Sequence, residues 1–346
     1  MKRRAEQLVW QIFDEDDVLF RIFAIRVKRD DFILGIVIHH IICDGVSVSI
    51  VRNEIFATYE SLSKNSGAVI DGPKYQYSDI AIGVNSWLDG SGPASHMRYW
   101  SDYLRDAPSS TIPSDYLVHS GGSGVLKTIP FAMKLKSSSK IPESSKKAPF
   151  FESDMFLSVF MGVLSYHLNQ SDVVIVPMLS GRYYPESLEV VGLMMDAMAL
   201  RCQIAIASPF IDLLNQVSTS YLRCYDHQAL PYFYVEKLLQ EIGAAGGWCW
   251  VNFRRSNSSC EPGNSQVTDY EIARPPEEIN VSRAQNMFHI RATLRDNDIT
   301  GEIEYSDGMY KEDTIVNFID NMVRLFSLSQ DDPARPLVEI LDCNLP

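Results

Sequence analysis

The stretch from Asp30 to Leu62, "DDFILGIVIHHIICDGVSVSIVRNEIFATYESL", decides the fold. Its first part, through Ile38, is an almost unbroken run of β-branched and bulky apolar residues, the composition of a strand buried on both faces. After Asp44-Gly45 the pattern changes. Val46, Ile50, Val51, Ile55, Phe56, Tyr59 and Leu62 recur close to helical spacing. His39, His40, Asp44 and Gly45 therefore sit on a strand-to-helix turn, where Gly45 is expected to let the backbone bend and to offer an N–H near a helix start. Adjacent strand residues point to opposite faces, so only one of the two histidines is placed to act as a base. An imidazole, an Asp that can fix the turn and an exposed N–H within seven residues are the parts an acyl transfer needs.

The rest of the chain alternates element types. "VLFRIFAIRV" reads as a strand that reaches the His strand through a hairpin at Lys28–Asp31. "YSDIAIGVNSWL" and "SHMRYWSDYLRDAP" carry helical spacings, with Tyr77, Trp87, Tyr99 and Trp100 read as core. Further on, "GVLKTIPFAMKL", "SDVVIVPML", "LMMDAMALRCQIAI", "WCWVNFRR", "MFHIRATLRDND" and "ITGEIEYSDG" are strands. "SDMFLSVFMGVLSYHL", capped at Ser153, "PFIDLLNQVSTSYLRCYDHQ" and "KEDTIVNFIDNMVRLFSLS" are helices. The Gly- and Ser-rich "SDYLVHSGGSG" is the best domain boundary, dividing the chain into residues 1–120 and 121–346. Mixed strands and helices in two parts predict an α/β protein of two lobes, each a mixed sheet covered by helices.

Composition narrows the function. The 346 residues are 46% hydrophobic, enough for an ample core. A formal charge of −13 argues against nucleic acid and anionic lipid. Cys43, Cys202, Cys224, Cys249, Cys260 and Cys343 have no C-x-x-C spacing, so reduced thiols, no metal and a cytoplasmic location are expected. No signal-peptide pattern and no apolar run of about eighteen residues occurs, so no membrane span is expected.

Several motifs in one order resemble the condensation domains of nonribosomal peptide synthetases, within the chloramphenicol-acetyltransferase-like superfamily. "IHHIICDGVS" matches HHxxxDG at all four marked positions, and "YSDIAI" resembles the family's Tyr-x-Asp segment. "SGRYYPESLEVVGLMMDAMALRC" resembles its Gly-Arg turn and Val-Gly-x-Phe-Val-Asn-Thr stretch, and "HQALPYFYVEKLL" its His-Gln-Asp-x-Pro-Phe-Glu segment. The resemblance implies amide formation between thioesters on carrier proteins, with no cofactor beyond their phosphopantetheine arms and with neighbouring synthetase domains as partners. It implies His40 as base or orienting group, the Gly45 N–H as oxyanion donor, Asp44 as a structural residue and His39 facing the core. Arg182, Met195 and Asp196 become candidates to line the substrate tunnel, the last two replacing the family's usual residues. The family's upstream strands and Arg-rich segment, the source of the arginine that holds the motif Asp, have no counterpart before Ala5, so the first lobe reads as N-terminally truncated. An exposed sheet edge open to a partner is then expected. A non-catalytic remnant that binds carrier proteins or synthetase domains is the rival reading, and a coenzyme A- or alcohol-dependent acyltransferase a further one.

Overall fold

A computed structural model describes residues 8–9, 11, 13–14, 18–29, 31–64, 72–116, 125–243, 246–256 and 288–342. They pack as two units. The first draws on Met1–Trp87 and Ser180–Met195, the second on Leu88–Leu179, Asp196–Ser258 and Asn280–Pro346. The expected cut between residues 120 and 121 lies outside the described residues, and packing groups the chain otherwise. Residues 88–116 belong with the second unit because Trp100 is buried there and Ser110 bridges to Trp248, while the segment after Leu179 returns to the first.

In the first unit, β1 (Phe20–Lys28) and β2 (Asp31–Ile38) form an antiparallel hairpin that pairs Phe20 with Ile38 and Arg26 with Phe32. Helix α1 (Gly45–Ser63) follows, and α2 (Tyr77–Leu88) begins where Gln76 N–H donates to Asp79 Oδ2 at 2.8 Å. Phe20 and Ile22 line an open cleft of about 530 Å³ with Val51, Ile55, Tyr59 and Leu62 of α1. The expectation that β2 is buried on both faces does not hold. No residue of β2 is buried; Phe32, Ile33 and Leu34 are exposed and Ile36 to Ile38 half-buried. The reason is the number of neighbours: among the described residues this sheet has two strands.

The second unit is a mixed sheet. Its elements are α3 (Pro93–Tyr103), β3 (Leu126–Lys134), the single-turn α4 (Glu143–Lys146), α5 (Phe151–Leu168), β4 (Asp172–Leu179), β5 (Asp196–Ala197), β6 (Leu200–Gln203), α6 (Phe210–Tyr225), α7 (Tyr232–Glu241), β7 (Cys249–Ser256), β8 (Phe288–Arg295), β9 (Asp298–Ser306), α8 (Glu312–Asp331) and α9 (Leu337–Leu341). Strand order is β3-β9-β8-β7-β4-β5, with β6 also on β4. The pairs β7·β8 and β4·β7 are parallel, and the others antiparallel. Helix α5 is buried on every side from Asp154 to Ser165, as expected of a helix that is apolar all round. A Cβ at Gly162 would come within 3.2 Å of Leu213 and 3.3 Å of Leu325, so this glycine sets how closely α6 and α8 approach. The helix starts two residues before the expected cap at Ser153, and no side chain caps it. Cys43, Cys202, Cys224 and Cys249 are free and buried; Cys260 and Cys343 lie outside the described residues. No helix among the described residues is long and apolar enough to cross a membrane.

Candidate active site

Strand β2 hands the chain to the motif through a hydrogen bond from His39 N–H to Leu19 O at 3.0 Å. His40–Ile42 then forms one 3₁₀ turn, and His39 Nδ1 accepts from Ile41 N–H at 3.1 Å. That contact corrects the expectation that His39 faces the core. Its ring is exposed, edge-on to Phe13 with centroids 5.8 Å apart, and one ring nitrogen is used to cap the turn. His40 is exposed as well. The bend does not need Gly45: Asp44 is extended, with φ −113° and ψ −179°, and α1 starts directly after it. A Cβ at Gly45 would meet nothing within 4 Å, and the residue is exposed, so the space beside the first residue of the helix is open.

Asp44 is the centre of a dry polar network. Its carboxylate accepts from Ser47 N–H at 2.8 Å, which caps α1, and from Met194 N–H at 3.1 Å. Arg182 Nη2 donates to Asp44 Oδ1 at 2.9 Å and Oδ2 at 3.1 Å, and also to Ser47 Oγ at 2.9 Å. Arg182 Nη1 donates to the carbonyls of Ser187 at 2.5 Å and Val190 at 2.6 Å. Both side chains are 2% exposed, so solvent does little to weaken the pair. Burial pushes the Asp44 carboxyl up, but the bonds from Ser47, Arg182 and Met194 outweigh it and hold the group below its ordinary value. The partner expected from an upstream segment is thus supplied from 138 residues downstream. The same contacts correct the assignment of Arg182 to a tunnel wall, since its guanidinium is spent on Asp44 and on the backbone of its own loop; only its Nε is buried without a hydrogen-bond partner.

A condensation-domain family model matches residues 2–342. The chain belongs to the condensation-domain family. It is 25% identical over 316 residues to a component of the linear gramicidin synthase of Brevibacillus parabrevis, covering 89% of this chain and 4% of that protein. Malpinin synthetase of Mortierella alpina is 26% identical over 338 residues, covering 92% and 4%. The chain therefore spans about 4% of the length of these two relatives. The crystal structure of the X-domain from teicoplanin biosynthesis shares the fold, with a TM-score of 0.74 at 17% identity over 97% of this chain and 77% of that one.

The other motif segments of this condensation domain have structural employment. Gly192 lies against Tyr77, whose ring a Cβ would approach to 2.2 Å, so the Val-Gly stretch and the Tyr-x-Asp segment are packed together. Tyr77 is nonetheless half exposed rather than core, unlike Trp100. Met195 is half-buried. Asp196 accepts from Ala197 N–H at 2.8 Å and from Tyr232 N–H at 3.2 Å, placing a carboxylate at the start of α7. Burial raises its pKa despite these bonds. His227, from the His-Gln segment, stacks on Tyr99 at 3.7 Å and puts Nδ1 3.2 Å from that of His96. Sequence reasoning missed Ser47. Its hydroxyl touches Asp44 Oδ1 and Gly192 O, both at 2.8 Å, and accepts from Gly192 N–H at 3.0 Å, joining the motif loop to the Val-Gly stretch. Its place three residues after an Asp, at the start of a helix, is a capping signal that could have found it. Among the described residues no group of three or more His, Cys, Asp or Glu could hold a metal ion.

Proposed function

We propose that this domain is an acyltransferase that joins a thioester donor and an amine acceptor, each carried on the phosphopantetheine arm of a carrier protein, as an amide. The acceptor nitrogen attacks the thioester carbonyl; the C–S bond breaks and the thiol leaves with the proton the amine gives up. His40 accepts that proton or orients the amine, since an ammonium is no nucleophile. The open N–H of Gly45 faces the developing oxyanion, and Asp44 fixes the turn that carries both. Holding two tethered substrates together makes the encounter effectively intramolecular, which can outweigh proton transfer. The observation that carries this reading is the Asp44–Arg182 pair, because the motif loop is held by residues of this chain alone. Carrier proteins and adjoining synthetase domains are the partners; the fold match to a four-domain nonribosomal peptide synthetase is in keeping with the latter.

One observation favours the rival, a module that binds synthetase components without catalysis. Among the described residues, no third group donates or accepts a hydrogen bond that would orient the exposed His40 ring. An amide-forming assay with loaded carrier proteins separates the two. Catalysis predicts product from the parent and a loss of about a hundredfold or more for His40→Ala at unchanged carrier binding. Parent-like turnover by His40→Ala removes the base assignment, and carrier binding without product from the parent establishes the binding module.

A further inference from the structure

We propose that His96 and His227 form a two-histidine site for a borderline divalent transition ion, zinc in the first place, with water in its other coordination positions. Both residues belong to the second unit and neither is part of the motif loop, so the site is independent of the proposed catalysis.

The geometry of the pair is that of two ligands. Their Nδ1 atoms lie 3.2 Å apart. Imidazole nitrogens about 2.0–2.1 Å from a tetrahedral zinc lie about 3.3–3.4 Å from each other, so the pair has to part by no more than about 0.2 Å. The ring centroids are 5.0 Å apart and the planes cross at 76°, so the two side chains turn nitrogens, not ring faces, toward one another. Left to itself the pair shares a single N–H···N bond, in which one ring must carry its proton on Nδ1. An ion uses both lone pairs at once. The Nδ1 proton then passes through solvent to Nε2 of the same ring, and both histidines stay neutral.

One helix holds both ligands in place. His96 stands on α3, one turn before Tyr99 and Trp100. The Tyr99 ring lies flat against that of His227, with centroids 3.7 Å apart and planes 8° from parallel. Trp100 Nε1 donates to the His227 carbonyl at 3.3 Å, and the His227 N–H donates to Cys224 O at 2.9 Å, just past the end of α6. Little rotamer freedom is left to lose on binding. Asp226 beside His227 and the net charge of −13 favour a cation. The donors select which one: two neutral imidazoles suit zinc, copper and nickel, whereas magnesium and calcium take oxygen ligands. No third His, Cys, Asp or Glu joins the pair among the described residues, so water fills the remaining positions and the affinity is modest. With 131 residues between them, the two histidines leave no spacing signal in the sequence.

The test is a zinc chloride titration of the full 346-residue chain, followed by calorimetry and by NMR of the assigned histidine rings. At about pH 7.5, where an ordinary imidazole is mostly neutral, the signals of His96 and His227 should move together and saturate with one ion. His96→Gln and His227→Gln should each raise the dissociation constant at least about tenfold. Copper(II) in place of zinc should show two coupled nitrogens by electron paramagnetic resonance in the parent and fewer in either variant. Should a variant fail to fold by circular dichroism, the paired ring shifts and the copper spectrum of the parent decide alone. No movement of either ring up to about 1 mM zinc overturns the inference, as does binding that survives both substitutions. Shifts confined to His39 and His40 would put the ion at the motif loop, and would overturn it too.

Discussion

Strands β2 and β4 have almost the same composition, "DFILGIVI" against "DVVIVPML", and opposite fates. Val173, Val174 and Ile175 of β4 are fully buried, whereas no residue of β2 is. Among the described residues, strand β4 lies inside a seven-stranded sheet under the apolar helix α5, and β2 is half of a two-stranded ribbon. Burial is thus a property of the neighbours, not of the strand. The second unit gains its order from apolar area removed from water. The first relies on a small dry polar network around Asp44 that ties α1 to residues 182–194.

The largest expected effect probes that contrast from the polar side. Arg182→Met leaves the Asp44 carboxylate buried and unpaired, which should cost the first unit about 3–5 kcal/mol. Amide exchange in α1 should rise by orders of magnitude while exchange in α5 stays as in the parent; equal effects on both would deny that the units are stabilised separately. From the apolar side, Ile175→Ala should cost about 2–5 kcal/mol in urea melts, against less than about 1 kcal/mol for Ile33→Ala on the exposed strand. Similar losses at the two sites would break the comparison.

Acid and base should separate the units as well. Asp44 is held below its ordinary value of 3.8, so its contribution is present above that value and is lost as pH falls through the lower, folded one. Helix α1 should therefore loosen only below about pH 4. Asp154 behaves oppositely. Burial pushes it up to about 6, with Ser218 Oγ its side-chain partner and Oδ1 left without one. Its contribution is present below 3.8 and lost as pH rises through about 6, so the second unit should be weaker at pH 8 than at pH 5. Asp154→Asn should recover about 1–3 kcal/mol at pH 8, roughly half of that at pH 5, and nothing below 3.8. The smallest effect, a melting temperature for Asp154→Asn that does not vary between these pH values, is read by calorimetry; a parent-like pH slope would point to another group.

Most elements were legible because alternation and helical spacing are local. The β1–β2 hairpin, β3, β4, β7, β8, β9, α5, α6 and α8 all fall where the periodicity put them. What periodicity cannot carry is the identity of neighbours, and so the burial of β2 and the facing of His39 were misjudged. His40, Asp44 and Gly45 could be found as a motif. The role of Arg182 could not, since a salt bridge between distant segments leaves no local pattern; its only trace is an Arg directly after Gly181, whose φ of 65° turns the chain at the end of an apolar strand.

The 138-residue separation of Asp44 and Arg182 also sets a schedule. At about 5–20 residues per second, a ribosome adds that much chain in roughly 7–28 s. For that interval α1 has its Asp44 cap but not its arginine, and the histidine turn is unbraced. By the time Arg182 emerges, β3, α5 and β4 have already been made. During synthesis the motif loop is therefore completed only after much of the larger unit has left the ribosome, although its own residues appear well before Arg182.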